Sequence, residues 1–152
     1  MSAEINIHAS CVAIGRAGVL LLGKSGAGKS DIALRLIDSG AKLVADDRVL
    51  LSVRHGTLFA RAPETIRGLL EIRGLGIIAV PAAAAVRIRL AVALGHEGAR
   101  LPAPRFYAPP LALTEKIPLL VLDARRDATP AKIRAALKAF AGDLFRININ
   151  TK

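Results

Sequence analysis

The segment Gly23–Ser30 limits the possible fold more than any other part of this chain. It reads Gly-Lys-Ser-Gly-Ala-Gly-Lys-Ser and matches G-x-x-x-x-G-K-[S/T] at every fixed position. Such a loop wraps main-chain N–H groups around phosphate oxygens, while Lys29 reaches the outer phosphates and Ser30 offers a hydroxyl to Mg²⁺. The predicted nucleotide-binding residues are Gly23, Lys24, Ser25, Gly26, Ala27, Gly28, Lys29 and Ser30.

The residues on both sides of this loop fit a phosphate-binding unit. Val19–Leu22 is an uninterrupted apolar run that predicts a buried strand entering the loop. Ser30–Ser39 predicts an amphipathic helix that ends at Gly40, and Leu43–Ala45 predicts a second buried strand. Together these elements predict a βαβ unit with a parallel sheet, and therefore an α/β fold.

The rest of the chain alternates predicted strands and turns before one last helix. Alternating apolar residues over Val86–Leu94 predict a strand with one buried face. Thr129 is the predicted cap of a final helix that begins at Pro130 and ends at Gly142. The other predictions are a hairpin of Val49–Val53 and Thr57–Ala60, a short helix over Pro63–Leu69, a loop over Glu71–Gly76, strands at Ile77–Val80 and Pro118–Leu122, and a loop over Gly95–Pro110.

The pair Asp46-Asp47 is the first candidate for catalytic carboxylates. It follows the second predicted strand, and parallel neighbours end at the same sheet edge, so the pair should lie near the outermost phosphate. Adjacent carboxylates raise each other's pKa, which suits one of them for proton transfer. Capping of the next turn is the structural alternative. Asp123, after four apolar residues, is a rival metal ligand, and spacing alone does not choose between them.

Composition narrows the class of protein. The 152 residues suit one domain spanning 1–152, and no run of 18 apolar residues or secretory leader is visible. A single cysteine, Cys11, makes a reducing cytoplasm the expected location. The net charge of +10 favours anionic partners, but four Phe, one Tyr and no Trp make nucleic acid an unlikely one.

Several strings then resemble one known family, the catalytic domain of HPr kinase/phosphorylase. They are Gly23–Ser30, Leu43–Val49, Arg61–Glu64 and the signature-like Gly68–Ile78, and the resemblance is close over about residues 5–80. It implies a catalytic core like that of phosphoenolpyruvate carboxykinase, often assembled as a hexamer. It also implies an enzyme that uses ATP and Mg²⁺ to phosphorylate a serine of the phosphocarrier protein HPr or a paralogue.

The resemblance also assigns roles to individual residues. Asp46 would accept the serine proton with support from Asp47, while Ser30 and Glu71 would hold Mg²⁺ in preference to Asp123. His8 resembles the family's active-site histidine. The family's catalytic arginine matches Arg100 best and Arg105 next.

Two departures limit what carries over. The chain begins directly at the catalytic part, as in the short form found in some Gram-negative bacteria, and the late Pro-Val-Arg-Pro-Gly-Arg element is absent. Reverse phosphorylase activity is therefore not expected. A small-molecule kinase and a non-enzymatic ATP sensor stay open as alternatives.

Overall fold

A computed structural model describes residues 3–145, so residues 1–2 and 146–152 of the predicted domain lie outside the described part. One mixed sheet of nine strands dominates the fold, with strand order β1-β5-β6-β9-β3-β2-β4. Strand β11 adds to β9, and β10 adds to β11. The strands are β1 Glu4–His8, β2 Ser10–Ile14, β3 Ala17–Leu22, β4 Lys42–Ala45, β5 Arg48–Arg54, β6 Thr57–Arg61, β9 Val86–Leu94, β10 Phe106–Tyr107 and β11 Ile117–Leu122.

The centre of the sheet is parallel and its flanks are antiparallel. Strand β9 runs parallel to β3 on one edge and to β11 along the second half of the other edge, where Ala91–Leu94 pairs with Leu119–Leu122. Strand β6 pairs antiparallel with the first residues of β9, Val86 and Arg87. Strands β3, β9 and β11 therefore end at one sheet edge, where a phosphate-binding loop is expected.

The βαβ prediction is correct in the relative direction of its two strands, but it is wrong in making them neighbours in the sheet. Strand β2 pairs antiparallel with both β3 and β4, so β3 and β4 run in the same direction with β2 between them. The reason is the tight turn between Ile14 and Ala17, where Gly15 has φ 61°. This turn places β3 directly beside β2, so β2 and β9 occupy both edges of β3. Asp46 still emerges at the same edge as the loop.

Both faces of the central strands are buried, which explains their continuous apolar sequence. On one face, Val19 and Leu21 of β3 pack with the two helices, α1 Lys29–Asp38 and α2 Thr129–Gly142. On the other face, Leu20 packs with residues of β5 and β6, which belong to the same sheet. The sheet therefore curls over one of its own faces and carries its helices on the other.

Helix α2 contacts the C-terminal end of α1 through the side chain of Arg134. Ile32 and Leu36 of α1 are fully buried against the sheet. Arg134 of α2 donates hydrogen bonds to the carbonyl oxygens of Leu36 and Ser39, at 3.0 Å each, and to the Ser39 hydroxyl at 2.8 Å. A cation at the C-terminal end of α1 also complements its dipole. Neither helix among residues 3–145 is both long and apolar enough to cross a membrane.

Three local predictions need correction. Glu71–Gly76 is not a loop, because β7 Leu69–Ile72 and β8 Gly76–Ala79 form a separate two-stranded hairpin. The helix predicted over Pro63–Leu69 is only a 3-10 turn at Glu64–Ile66. Thr129 does not cap α2 but is its first residue, and its hydroxyl donates to the Asp123 carbonyl oxygen instead.

One further prediction needs correction, because the loop predicted over Gly95–Pro110 contains the short strand β10 at Phe106–Tyr107. The remaining element predictions are confirmed within a few residues. The hairpin of β5 and β6 turns at His55-Gly56, which have φ 51° and 78°, and two positive φ values are typical of a type I′ turn. The strands predicted at Val86–Leu94 and Pro118–Leu122 and the helix predicted at Ser30–Ser39 are also present.

Candidate functional site

The predicted phosphate loop lies between the end of β3 and the start of α1. Gly26 and Gly28 have φ 83° and 101°, a region that L side chains avoid. A Cβ atom added to Gly28 would lie only 2.8 Å from the Cβ of Ala124, so this position also has no room for a side chain. The loop can therefore keep this curled backbone only with glycine at residue 28.

Lys29 is folded back onto the loop. Its Nζ donates to the carbonyl oxygen of Gly23 at 2.6 Å and to that of Lys24 at 3.1 Å. Burial lowers the pKa of the Lys29 ammonium, and the negative charges of Asp47 and Asp46 oppose that shift. The cation is thus held close to the two aspartates, at the mouth of the loop.

Asp46 is the most highly bonded carboxylate of the site and is buried. Its Oδ1 accepts hydrogen bonds from the hydroxyls of Ser30, at 2.8 Å, and Ser10, at 3.0 Å. Its Oδ2 accepts from the Glu71 N–H at 3.4 Å. The bond to Ser30 joins Asp46 directly to the phosphate loop, so the two lie on the same side of the sheet, as the sequence predicted.

An ion-pair contact and a hydrogen bond also join Asp47 to the phosphate loop through His8. The His8 Nδ1 lies 3.1 Å from the Asp47 Oδ1, and its Nε2 lies 3.3 Å from the Ser25 Oγ. With the ring proton on Nδ1, which faces the Asp47 carboxylate, Nε2 is left to accept from the Ser25 hydroxyl. His8 therefore belongs to the same site as Lys29 and the aspartates.

The backbone at Asp47 turns sharply. The Arg48 N–H donates to the Asp46 carbonyl oxygen at 2.8 Å, and Asp47 has φ 70°. Both observations are typical of the γ-turn with positive φ, which is rare because it strains the backbone. Strain of this kind often occurs at functional sites, where the surrounding bonds hold the residue in place. The turn sends the two neighbouring carboxylates to different partners.

Glu71 reaches the site from the β7–β8 hairpin. It lines the cleft with Ser30 and Asp46, and its backbone N–H holds the second oxygen of Asp46. Among residues 3–145, no group of three or more His, Cys, Asp or Glu side chains is arranged to hold a metal ion. A Mg²⁺ ion bound with nucleotide needs only one or two protein carboxylates, because phosphates and water complete its shell. The hydroxyl and carboxylates present here fit such an ion.

The cleft has a volume of about 350 Å³ and collects most of the predicted residues. The predicted residues Gly23, Lys24 and Ala27 do not line it. The carbonyl groups of Gly23 and Lys24 hold Lys29. Three further residues line the cleft and were not predicted, because only their position in the fold reveals them: Ser10, Asp31 and Arg73. The predicted residues that line it are His8, Ser25, Gly26, Gly28, Lys29, Ser30, Asp46, Asp47 and Glu71.

The predicted arginines lie elsewhere. Arg100 and Arg105 line a second cavity of about 340 Å³ beside β11. Glu97 holds their loop, which follows β9, at this position, because its carboxylate accepts a hydrogen bond from the Asp123 N–H at 3.2 Å. The role that the resemblance implies for Arg100 therefore stays a prediction. Asp123 is not a lining residue of the cleft. Its carboxylate binds the Arg125 guanidinium, which lowers the pKa of Asp123 to about 2.

Comparison with known proteins identifies the family of this chain. Residues 1–93 match the family model described as the HPr Serine kinase C-terminal domain. The HPr kinase/phosphorylase of Clostridium acetobutylicum is 45% identical over 82 residues, which are 54% of this chain and 27% of the relative. That of Lactobacillus acidophilus is 50% identical over 76 residues, which are 49% of this chain and 24% of the relative. The aligned part thus spans about a quarter of each of these curated relatives.

A solved structure supports the fold over almost the whole chain. The Hpr(Ser) kinase/phosphatase from Coxiella burnetii aligns with a TM-score of 0.77 over 92% of each chain, at 24% identity. That likeness establishes the α/β architecture, and the family-model match covers the phosphate loop, the aspartate pair and the β7–β8 hairpin. The chain belongs to the HPr serine kinase C-terminal domain family.

Proposed function

We propose that this protein is an ATP- and Mg²⁺-dependent serine kinase that phosphorylates the phosphocarrier protein HPr or a paralogue of it. The observation that carries the proposal is the 2.8 Å hydrogen bond between the Ser30 hydroxyl and the Asp46 carboxylate. It brings a buried carboxylate to the loop that would hold the outer phosphates. Relatives named HPr kinase/phosphorylase support the choice of acceptor.

The residues of the cleft can divide the work of phosphoryl transfer. The glycine loop and Lys29 would grip the triphosphate, and Lys29 would exchange its two carbonyl partners for phosphate oxygens. When bound, Mg²⁺ would neutralise phosphate charge, with Ser30 and Glu71 as its protein ligands. Arg100 would add a cation if the loop that carries it approached the phosphates.

Asp46 would act as the proton acceptor. The serine hydroxyl of the acceptor loses its proton to Asp46 while its oxygen forms a bond to the γ-phosphorus, and the bond from that phosphorus to the bridging oxygen breaks, releasing ADP. The bonds from Ser10 and Ser30 fix the Asp46 carboxylate in one orientation. Asp47 would hold His8 in one tautomer through the 3.1 Å contact to Nδ1.

A transfer assay with labelled ATP tests this proposal. We expect label to reach HPr and not an HPr variant that lacks the acceptor serine. Asp46→Asn should retain ATP binding, because the amide keeps an oxygen to accept from Ser30, but should lower kcat by about 10²–10⁴-fold through loss of the base.

The control is Asp38→Asn, an exposed aspartate at the end of α1 and outside the cleft, which should behave as the wild type. Transfer by Asp46→Asn at the normal rate would exclude Asp46 as the base. Label that reaches a metabolite but never HPr would instead identify a small-molecule kinase, and ATP binding with no transfer would identify a sensor. The expected cytoplasmic location and hexameric assembly belong to the same proposal.

A further inference from the structure

The β7–β8 hairpin carries an exposed apolar surface that the proposed chemistry does not use. Leu69, Leu75 and Ile77 expose 38%, 72% and 67% of their area, and we call these three residues the hairpin surface. On the opposite side of the hairpin, Leu70 is fully buried in the cluster that packs around α1. One side therefore anchors the hairpin to the core, and the other presents large aliphatic side chains to solvent, which is typical of a binding surface.

This surface is continuous with the cleft. Ile77 is the direct cross-strand partner of Glu71, and such partners lie on the same face of a hairpin with Cβ atoms about 5 Å apart. Glu71 lines the cleft, and its N–H binds Asp46. A molecule that covers Ile77 must therefore lie next to the position where the acceptor hydroxyl would enter.

The tip of the hairpin adds a positive charge. The Leu75 N–H donates to the Ile72 carbonyl oxygen at 2.9 Å, and Gly74 has φ 89°, which together fit a type II turn with Arg73 at its second position. Arg73 is exposed, lines the cleft and has no ion pair within the described residues 3–145. The surface thus combines aliphatic side chains with an arginine, a pairing that is common where proteins bind one another.

Charge selects the occupant of this surface. Two copies of a chain with net charge +10 that met hairpin to hairpin would bring their Arg73 side chains together, which disfavours this symmetric self-association. An acceptor protein with an apolar patch and acidic groups beside its serine would satisfy both features. We propose that the hairpin surface is the docking site of the protein acceptor, an inference that rests on the proposed function.

Removal of the two most exposed aliphatic groups tests the docking site. Leu75→Ser/Ile77→Thr should leave the fold and the nucleotide Kd unchanged, because both side chains are mostly solvated and Thr keeps the β-branched shape of Ile77. With HPr as the acceptor, KM for HPr should rise at least about fivefold at unchanged kcat, since about 1 kcal/mol of apolar contact is lost. Leu75→Ser alone should show part of the rise.

The matched control is Leu144→Ser, which removes an equally large side chain, 54% exposed, after the end of α2 and outside the hairpin and the cleft. It should leave KM for HPr unchanged. An unchanged KM in the double variant, or a fall in kcat or nucleotide affinity alone, would refute docking at the hairpin. So would a smaller oligomer in sedimentation, which would make the hairpin a subunit contact. A wild-type protein that never phosphorylates HPr would refute the proposed function itself, and this inference with it.

Discussion

Lys29 combines a positive charge with burial at the candidate site. It is a cation held by two carbonyl oxygens in a nearly water-free position, and this burial lowers its pKa. Between that lowered pKa and the ordinary value of about 10.4, the unfolded chain keeps a proton that the folded protein has lost. Lys29 alone therefore makes the free energy of unfolding rise with pH in this interval.

Lys29→Met should remove that contribution. We expect the difference in unfolding free energy between wild type and Lys29→Met to shift in favour of the wild type as pH rises from neutral towards the ordinary lysine pKa of about 10.4. Urea titrations at several pH values in this range measure it, and Lys24→Met, which changes a lysine at an exposed position of the same loop, is the control. A difference that is constant with pH would mean that burial does not perturb Lys29.

Single site residues could be predicted from sequence when they belong to a motif of fixed spacing. Lys29, Ser30 and Asp46 were found from sequence because loop spacing and strand direction fix where they lie. Ser10 and Arg73 were missed, since one reaches Asp46 only through strand pairing and the other only through the hairpin turn. The arginine assigned by resemblance, Arg100, depends on the path of a loop whose neighbours are distant in sequence.

At the scale of elements, helix α1 depends on the sheet beneath it. It has ten residues, too few for stability as an isolated helix in water, and Ile32, Ala33 and Leu36 are fully buried. Because α1 begins at the phosphate loop, its packing also determines where Lys29 and Ser30 are held. A loss of contact beneath the helix should therefore weaken both the fold and the nucleotide site.

Leu36→Ala measures that dependence. Removal of a fully buried leucine side chain should lower the free energy of unfolding by about 2–5 kcal/mol, because apolar contacts are lost and a cavity remains. Arg35→Ala, at the adjacent exposed position, loses only a 3.8 Å surface ion pair with Asp127 and should change stability by no more than about 0.5 kcal/mol. Equal effects of the two substitutions in urea denaturation would contradict the packing described for α1.

The types of elements were predicted correctly where hydrophobic periodicity was strong. The prediction was wrong in the glycine-rich segment around Gly74 and Gly76. The alternation over Val86–Leu94 identified β9, and the apolar face of residues 30–39 identified α1. Gly74 and Gly76 suggested a loop, yet they form the turn and first strand residue of the β7–β8 hairpin. The position of β2 between β3 and β4 was also missed, since local patterns do not specify which strands become neighbours.

For the whole molecule, net charge is the property that bears most on function. A charge of +10 creates a positive field that should attract an acidic protein before contact. If HPr is the acceptor and is acidic, kcat/KM for HPr should fall about tenfold when ionic strength rises from about 20 to about 200 mM, because the Debye length shortens. Steady-state assays test this, with nucleotide Kd measured in parallel to separate effects on ATP binding. An increase with salt would contradict steering by net charge.

One contact has a consequence for how this chain can vary. The methyl group of Ala124 sits against Gly28, at a spacing that leaves no room for another carbon atom on the loop. Ala124 follows the last sheet strand and lies outside the region matched to the family, residues 1–93. Any larger side chain there would press on the curled backbone of the loop. A residue late in the chain, outside every recognised motif, thus limits the space available to the glycine loop.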